Sequence, residues 1–94
     1  MILAYIDAIH RSDLPDKEGK AELLAMAMLA DSSLQLQKKQ ATIRAISLKV
    51  GRSAPTVQRR IAALKDAGLL TITQHRRKAY YQLPGADVLE AHNK

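Results

Sequence analysis

The stretch that decides the fold is Thr42 to Leu83, TIRAISLKVGRSAPTVQRRIAALKDAGLLTITQHRRKAYYQL. Thr42 is a good N-cap, and Ile43, Ile46 and Val50 recur at helical spacing behind it, so a short amphipathic helix is expected there. Ser47 falls on the same side and is small, which a helix needs where a second helix crosses closely. Gly51 can take the left-handed conformation that ends a helix sharply. Ser53 then caps a second helix, with Pro55 in its first turn, where a missing N–H leaves no bond unmade. Val57, Ile61 and Leu64 share the inward side of that helix. Pro55, Thr56, Arg59, Ala62 and Ala63 face outward, with Gln58 and Arg60 at the flanks. Gly68 closes it. Leu69–Thr73 and Ala79–Leu83 alternate apolar with polar and read as two strands, joined by a tip of Gln74-His75-Arg76-Arg77-Lys78.

Charge is segregated to match. Ser32 to Leu83 holds eleven Lys/Arg against one acid, Asp66, whereas residues 1–31 hold three bases against six acids. From Pro84 onward Lys94 stands against Asp87 and Glu90. A chain of net charge +6 thus concentrates its cations in one region, where a polyanion is drawn.

The remaining segments look like support. Ile2, Ile6 and Ile9 share one face of a helix over residues 2–10. Pro15 and Gly19 then break the chain. Lys20–Ala30, KAELLAMAMLA, is apolar over so wide an arc that it reads as the central helix. Leu23, Met26, Ala27 and Ala30 form its main face, with Leu24 and Met28 beside them, and Met26 and Met28 are expected as core filler. Asp31–Gln40 is polar and reads as a loop. Ala86–His92 is long enough for one or two helical turns after Pro84-Gly85. Ninety-four residues allow a single domain: N-terminal helices over 1–31, two motif helices over 42–67, a hairpin over 69–83 and a tail over 84–94.

Ile43 to Leu83 resembles the winged helix-turn-helix family, in the compact form found in phage and plasmid replication proteins and in MarR-like bacterial regulators. The residues that carry the likeness are Ile46-Ser47 and Val50-Gly51, then Ser53, Thr56-Val57-Gln58-Arg59, Ile61, Leu64 and Gly68-Leu69-Leu70, and last Tyr81 and Leu83. Arg52 departs from the family, which more often has an apolar residue at that turn position. The resemblance implies a mainly α fold with a small β-hairpin, and double-stranded DNA as partner. It carries base-reading positions over to Pro55, Thr56 and Arg59, and the wing contact to Arg76, Arg77 and Lys78.

The residues themselves fit that reading. Arg59 has the reach to pair with guanine N7 and O6, and Pro55 or the Thr56 methyl can touch a thymine methyl, with Gln58 beside them. Lys38, Lys39, Arg44, Lys49, Arg52, Ser53 and Arg60 are expected to serve the phosphate backbone and its approach. The expected role is a transcriptional regulator acting by occupancy. The alternatives are an origin-binding or replication accessory protein of a phage or plasmid, and an interaction module that docks another protein. Arg59 and Arg60 have a plainer use, as partners for acids of the N-terminal region, and the wing cations one as solubilising charges on a sheet edge.

Other classes find little support. There is no cysteine, hence no disulfide framework or thiol nucleophile. His10, His75 and His92 lack a ligand spacing, and neither a metal nor a cofactor is expected. No Gly-rich phosphate loop or paired-carboxylate constellation suggests an enzyme. Asp13, Asp16 and Glu18 read as a polar loop. The apolar start is interrupted by Asp7 and the longest apolar run is short, so an intracellular, cytoplasmic and nucleoid-associated protein is expected. A two-fold homodimer is expected too, formed through the Ile2, Ile6, Ile9 stripe and the Val88-Leu89 pair.

Overall fold

In the computed structural model, residues 3–92 are described, the last three by backbone alone. Helix α1 (Leu3–Arg11) is followed by a 3-10 turn (Asp16–Glu18) and helix α2 (Lys20–Leu29). Strand β1 (Gln35–Gln37) and a second 3-10 turn (Lys38–Gln40) lead into α3 (Ile43–Val50) and α4 (Ala54–Asp66). Strands β2 (Thr71–His75) and β3 (Lys78–Gln82) and helix α5 (Ala86–His92) complete the chain.

The helix ends follow their sequence signals. The Thr42 hydroxyl accepts from the Ala45 N–H at 3.1 Å and caps α3. Gly51, at φ 70°, ends that helix, and the Ser47 carbonyl accepts from the N–H groups of Gly51 and Arg52. Gly68, at φ 74°, sits just past α4. The Leu69 N–H bonds the Leu64 carbonyl at 2.9 Å and the Gly68 N–H that of Lys65 at 3.0 Å, a Schellman closure. Ser53 takes the N-cap position of α4, but its hydroxyl makes no capping bond there.

Helix α2 is the central element, as its composition requires. Leu23, Met26 and Ala27 are fully buried, and the helix packs against α1, α3 and α4. Met28 corrects the expectation of core filler, for it is 66% exposed at the rim of the α2–α3 groove. From α4 the core takes Val57, Ile61 and Leu64, and from α3 it takes Ile46. At Gly19 (φ 103°) the chain passes so close to α4 that a Cβ would lie 2.7 Å from Leu64 Cγ and 2.9 Å from the Arg60 carbonyl oxygen. Only glycine fits there. The Lys20 ammonium donates to the carbonyls of His10 and Ser12, both at 3.0 Å, and so ties the end of α1 to the start of α2.

Residues 31–40 are not a loop throughout. Asp31 Oδ1 accepts from the N–H groups of Ser33 and Gln35 and turns the chain into β1. β1 pairs antiparallel with β3, placing Gln35 opposite Gln82 and Leu36 opposite Tyr81. The sheet therefore has three strands in the order β1-β3-β2, with β3 in the centre. Three residues with one apolar side chain give no periodicity to read. The Gln35 and Gln82 side chains bond each other at 2.7 Å and stitch the pair together instead.

The expected apolar stripe on α1 is used internally. Ile9 is fully buried and Ile6 half-buried, with α1 packed on α2 and α5. Leu89 is buried as well. Ile2 lies outside the described residues.

Glu22 breaks the apolar pattern. It is fully buried on α2, and neither carboxylate oxygen has a hydrogen-bond partner. Burying an unpartnered polar group opposes folding. Glu22→Leu is expected to raise the unfolding free energy by about 1–3 kcal/mol, measured by denaturant titration. A loss of stability would mean that the carboxylate has a partner in solution.

Candidate nucleic-acid interface

The inward stripe of α4 fixes what its other side presents. With Val57, Ile61 and Leu64 in the core, Pro55, Gln58, Arg59 and Ala62 are exposed and Thr56 is half-buried. The Ser53 hydroxyl donates to Thr56 Oγ1 at 3.0 Å, and Arg59 Nη2 donates to the same oxygen at 3.3 Å. These three residues, each one turn apart, form a hydrogen-bonded string along the exposed side. It holds the Arg59 guanidinium near the helix surface before any ligand arrives. The Ser53 hydroxyl takes part as a donor in this string and accepts no capping N–H.

The hairpin of β2 and β3 carries the second group. Its turn is two residues, Arg76-Arg77, because His75 already pairs with Lys78. Gln74, His75 and Lys78 therefore belong to strands, which narrows the expected five-residue tip. Arg76 sits at φ 59°, a left-handed conformation that costs a non-glycine residue about 1 kcal/mol. All five residues of β2 are exposed, and Ile72, on the apolar side of the alternation, is 43% exposed. The hairpin leaves the core after Leu70 and projects as a wing.

β1 leads into a third group, in a segment that reads from sequence as loop. Lys38 and Lys39, in the turn after β1, line a cleft of about 270 Å³ together with Gln37, Arg77, Lys78 and Ala79. Four cationic side chains thus meet at one opening between the turn and the wing. A neighbouring hollow at the tip is lined by His75, Arg76, Arg77, Lys78 and Tyr80. Beneath them Tyr81 lies buried in β3, with the ammonium groups of Lys38 and Lys65 at 5.6 and 5.8 Å from its ring centroid. Burial pushes the Tyr81 hydroxyl pKa up, so the ring stays neutral between them. Lys65 escapes a reading by helical faces because it sits in the last turn of α4, off the outward stripe.

The other expected contacts are distributed differently. Lys49 lines the groove between α2 and α3, beside Leu24, Met28 and Val50. Arg44 is exposed on α3. Arg52 and Arg60 both bond Oδ2 of Asp16, in the 3-10 turn before α2, with Arg60 at 3.2 Å. Arg60 thus pairs with an acid of the N-terminal region, as its plainer use has it, and Arg52 shares that acid. Loss of solvent, the largest single effect, raises the Asp16 pKa, and the charges and hydrogen bonds of the two guanidiniums together outweigh it and hold the carboxyl below its usual range. Among the described residues no cluster of three or more His, Asp or Glu is disposed to hold a metal ion, and no helix is long and apolar enough to cross a membrane.

Residues 35–71 match the family model for winged helix-turn-helix DNA-binding domains. The match starts at β1, spans α3 and α4 and ends as β2 begins. No curated protein and no solved structure matches the chain. The fold is a winged helix-turn-helix, mostly helical with a small three-stranded antiparallel sheet. The family match supports DNA as the partner.

If the wing tip lies on the DNA backbone, Arg76→Gln, Arg77→Gln and Lys78→Gln together should lower affinity for every duplex alike. The slope of log affinity against log salt should become shallower by about 0.9 for each phosphate that the tip no longer neutralises. An unchanged slope would place the tip away from the duplex.

Proposed function

We propose that this protein binds double-stranded DNA at specific sequences and acts by occupying its site, as a small transcriptional regulator. The observation that carries the reading is the Ser53–Thr56–Arg59 string on the exposed side of α4, with the cationic wing following in the same chain. A helix whose first turns present an ordered arginine and a methyl-bearing threonine suits the major groove, where arginine pairs with guanine and methyl groups meet thymine. The wing and the Lys38-Lys39 turn then serve the phosphates. Such a protein would be cytoplasmic and nucleoid-associated. The same geometry would serve a phage or plasmid origin-binding protein, since site occupancy is the act common to both.

A protein-docking role without DNA finds support in the apolar groove of Leu24, Met28 and Val50 between α2 and α3. A gel shift with random-sequence duplex at two salt concentrations separates the two roles. The DNA reading expects binding that weakens steeply with salt. Absence of binding at low salt would overturn it.

Within that reading, Arg59→Ala should weaken binding to the preferred duplex by about 1–3 kcal/mol and relax the preference at one base pair. Selection of duplexes from a random pool, run on both proteins, reads both effects. Retained affinity and preference would remove Arg59 from base recognition.

A dimer on two half-sites is also proposed, on a smaller apolar surface than the sequence suggests. With Ile9 and Leu89 in the core, the exposed large apolar residues among those described in the terminal helices are Leu3, at 62%, and Val88, at 41%, on the contacting helices α1 and α5. Sedimentation at micromolar concentration should give a dimer mass that Leu3→Glu with Val88→Glu reduces to a monomer. A monomer mass for the unaltered protein, free and DNA-bound, would end the dimer proposal alone.

A further inference from the structure

Asp16 joins the acidic N-terminal segment to the cationic motif at one atom. Its Oδ2 receives the Arg52 guanidinium from the turn between α3 and α4, and that of Arg60, eight residues further along in α4. Neither arginine side chain is freely extended: Arg60 is 18% exposed and Arg52 32%, and Arg52 Nε is buried. The segment that carries Asp16 is held there by a second, independent constraint. Three residues on, Gly19 lies against Leu64 and the Arg60 carbonyl with no room for a Cβ. One stretch, Asp16 to Gly19, thus grips the start and the middle of α4.

We propose that Asp16 is a positioning residue for DNA recognition, and that Arg52 and Arg60 act through it and do not themselves reach phosphate. This rests on the DNA-binding reading of α4. The apolar stripe sets the side that α4 buries, but an apolar contact is non-directional and leaves small rotations and slides of the helix weakly opposed. Two guanidiniums meeting on one carboxylate oxygen are directional. They fix the turn at Arg52 relative to the helix at Arg60, and hence the angle at which Thr56 and Arg59, lying between them, are offered. Without the Asp16 charge, the two arginines face each other as like charges, and the turn and helix are pushed apart at that point. Recognition of a specific site depends on that angle. Attraction to the backbone of any duplex depends on the exposed cations of the wing and the Lys38-Lys39 turn, which Asp16 does not touch.

The test compares the unaltered protein with Asp16→Asn, Asp16→Glu and Arg60→Gln. Each is titrated with the preferred duplex selected from a random pool and with random-sequence duplex, at several salt concentrations, after circular dichroism shows it folded. Asp16→Asn and Arg60→Gln should each bind the preferred duplex about 3- to 10-fold more weakly. Affinity for random-sequence duplex and the salt slope should not change. The Asp16→Asn, Arg60→Gln double variant should lose little more than either alone, and Asp16→Glu should recover most of the loss. Unchanged affinity of Asp16→Asn for the preferred duplex overturns the proposal. So does tighter binding with a steeper salt slope, which would show that Asp16 competes with phosphate for two contact residues. If the unaltered protein binds neither duplex, the fault lies with the DNA reading, and this proposal falls with it.

Discussion

Burial of Val57, Ile61 and Leu64 decides how the rest of the molecule is arranged. Each such side chain contributes about 1.5–3 kcal/mol when fully buried, whereas an exposed ion pair contributes about 0–1 kcal/mol. The apolar stripe therefore chooses which side of α4 enters the core, and no set of surface charges can reverse it. Once that side is fixed, Thr56 and Arg59 have nowhere to go but outward. The glycine at position 19 extends the same constraint, because it lets the α2 segment close on Leu64 without a gap. Polar contacts such as those of Asp16 then refine a geometry that burial has set.

The wing depends on a different compromise. β2 is an edge strand with every residue exposed, and such an edge invites pairing with another chain. Its flanking cations oppose that pairing and are the same charges that suit a phosphate backbone. The hairpin gains its purchase from β3, which β1 holds on the other side through Leu36 and the Gln35–Gln82 pair. The left-handed Arg76 is a cost in stability at a place where glycine would fold more easily.

Much of this is legible in the sequence, for physical reasons that differ by element. Strong local signals read correctly: Thr42 as a cap, Gly51 and Gly68 as closures, and the inward stripes of α3 and α4. Each is a property of a few adjacent residues. The features that escape are those made by distant ones. β1 exists because Gln82 and Tyr81, more than forty positions away, supply its partner, and a three-residue strand carries no period of its own. Met28 reads as core because α2 is apolar nearly all round, and only the placement of α3 leaves it exposed. The pairing of Arg60 with an acid of the N-terminal region is among the readings of the sequence, but the choice of Asp16, and the sharing of it with Arg52, depends on how the 3-10 turn lies against α4. The α1 stripe reads correctly as apolar, and its packing on α2 and α5 is set by helices that follow it in the chain.

The central claim is that DNA meets this protein on the outward side of α4 and on the wing. An NMR titration with duplex DNA carrying the selected site tests it most directly, residue by residue. The account predicts that the largest amide shifts fall on Thr56 and Arg59, on Lys38 and Lys39, and on Arg76 to Lys78, while Leu24 and Met28 on the α2–α3 groove stay unchanged. Shifts concentrated on that groove, with α4 and the wing silent, would contradict it.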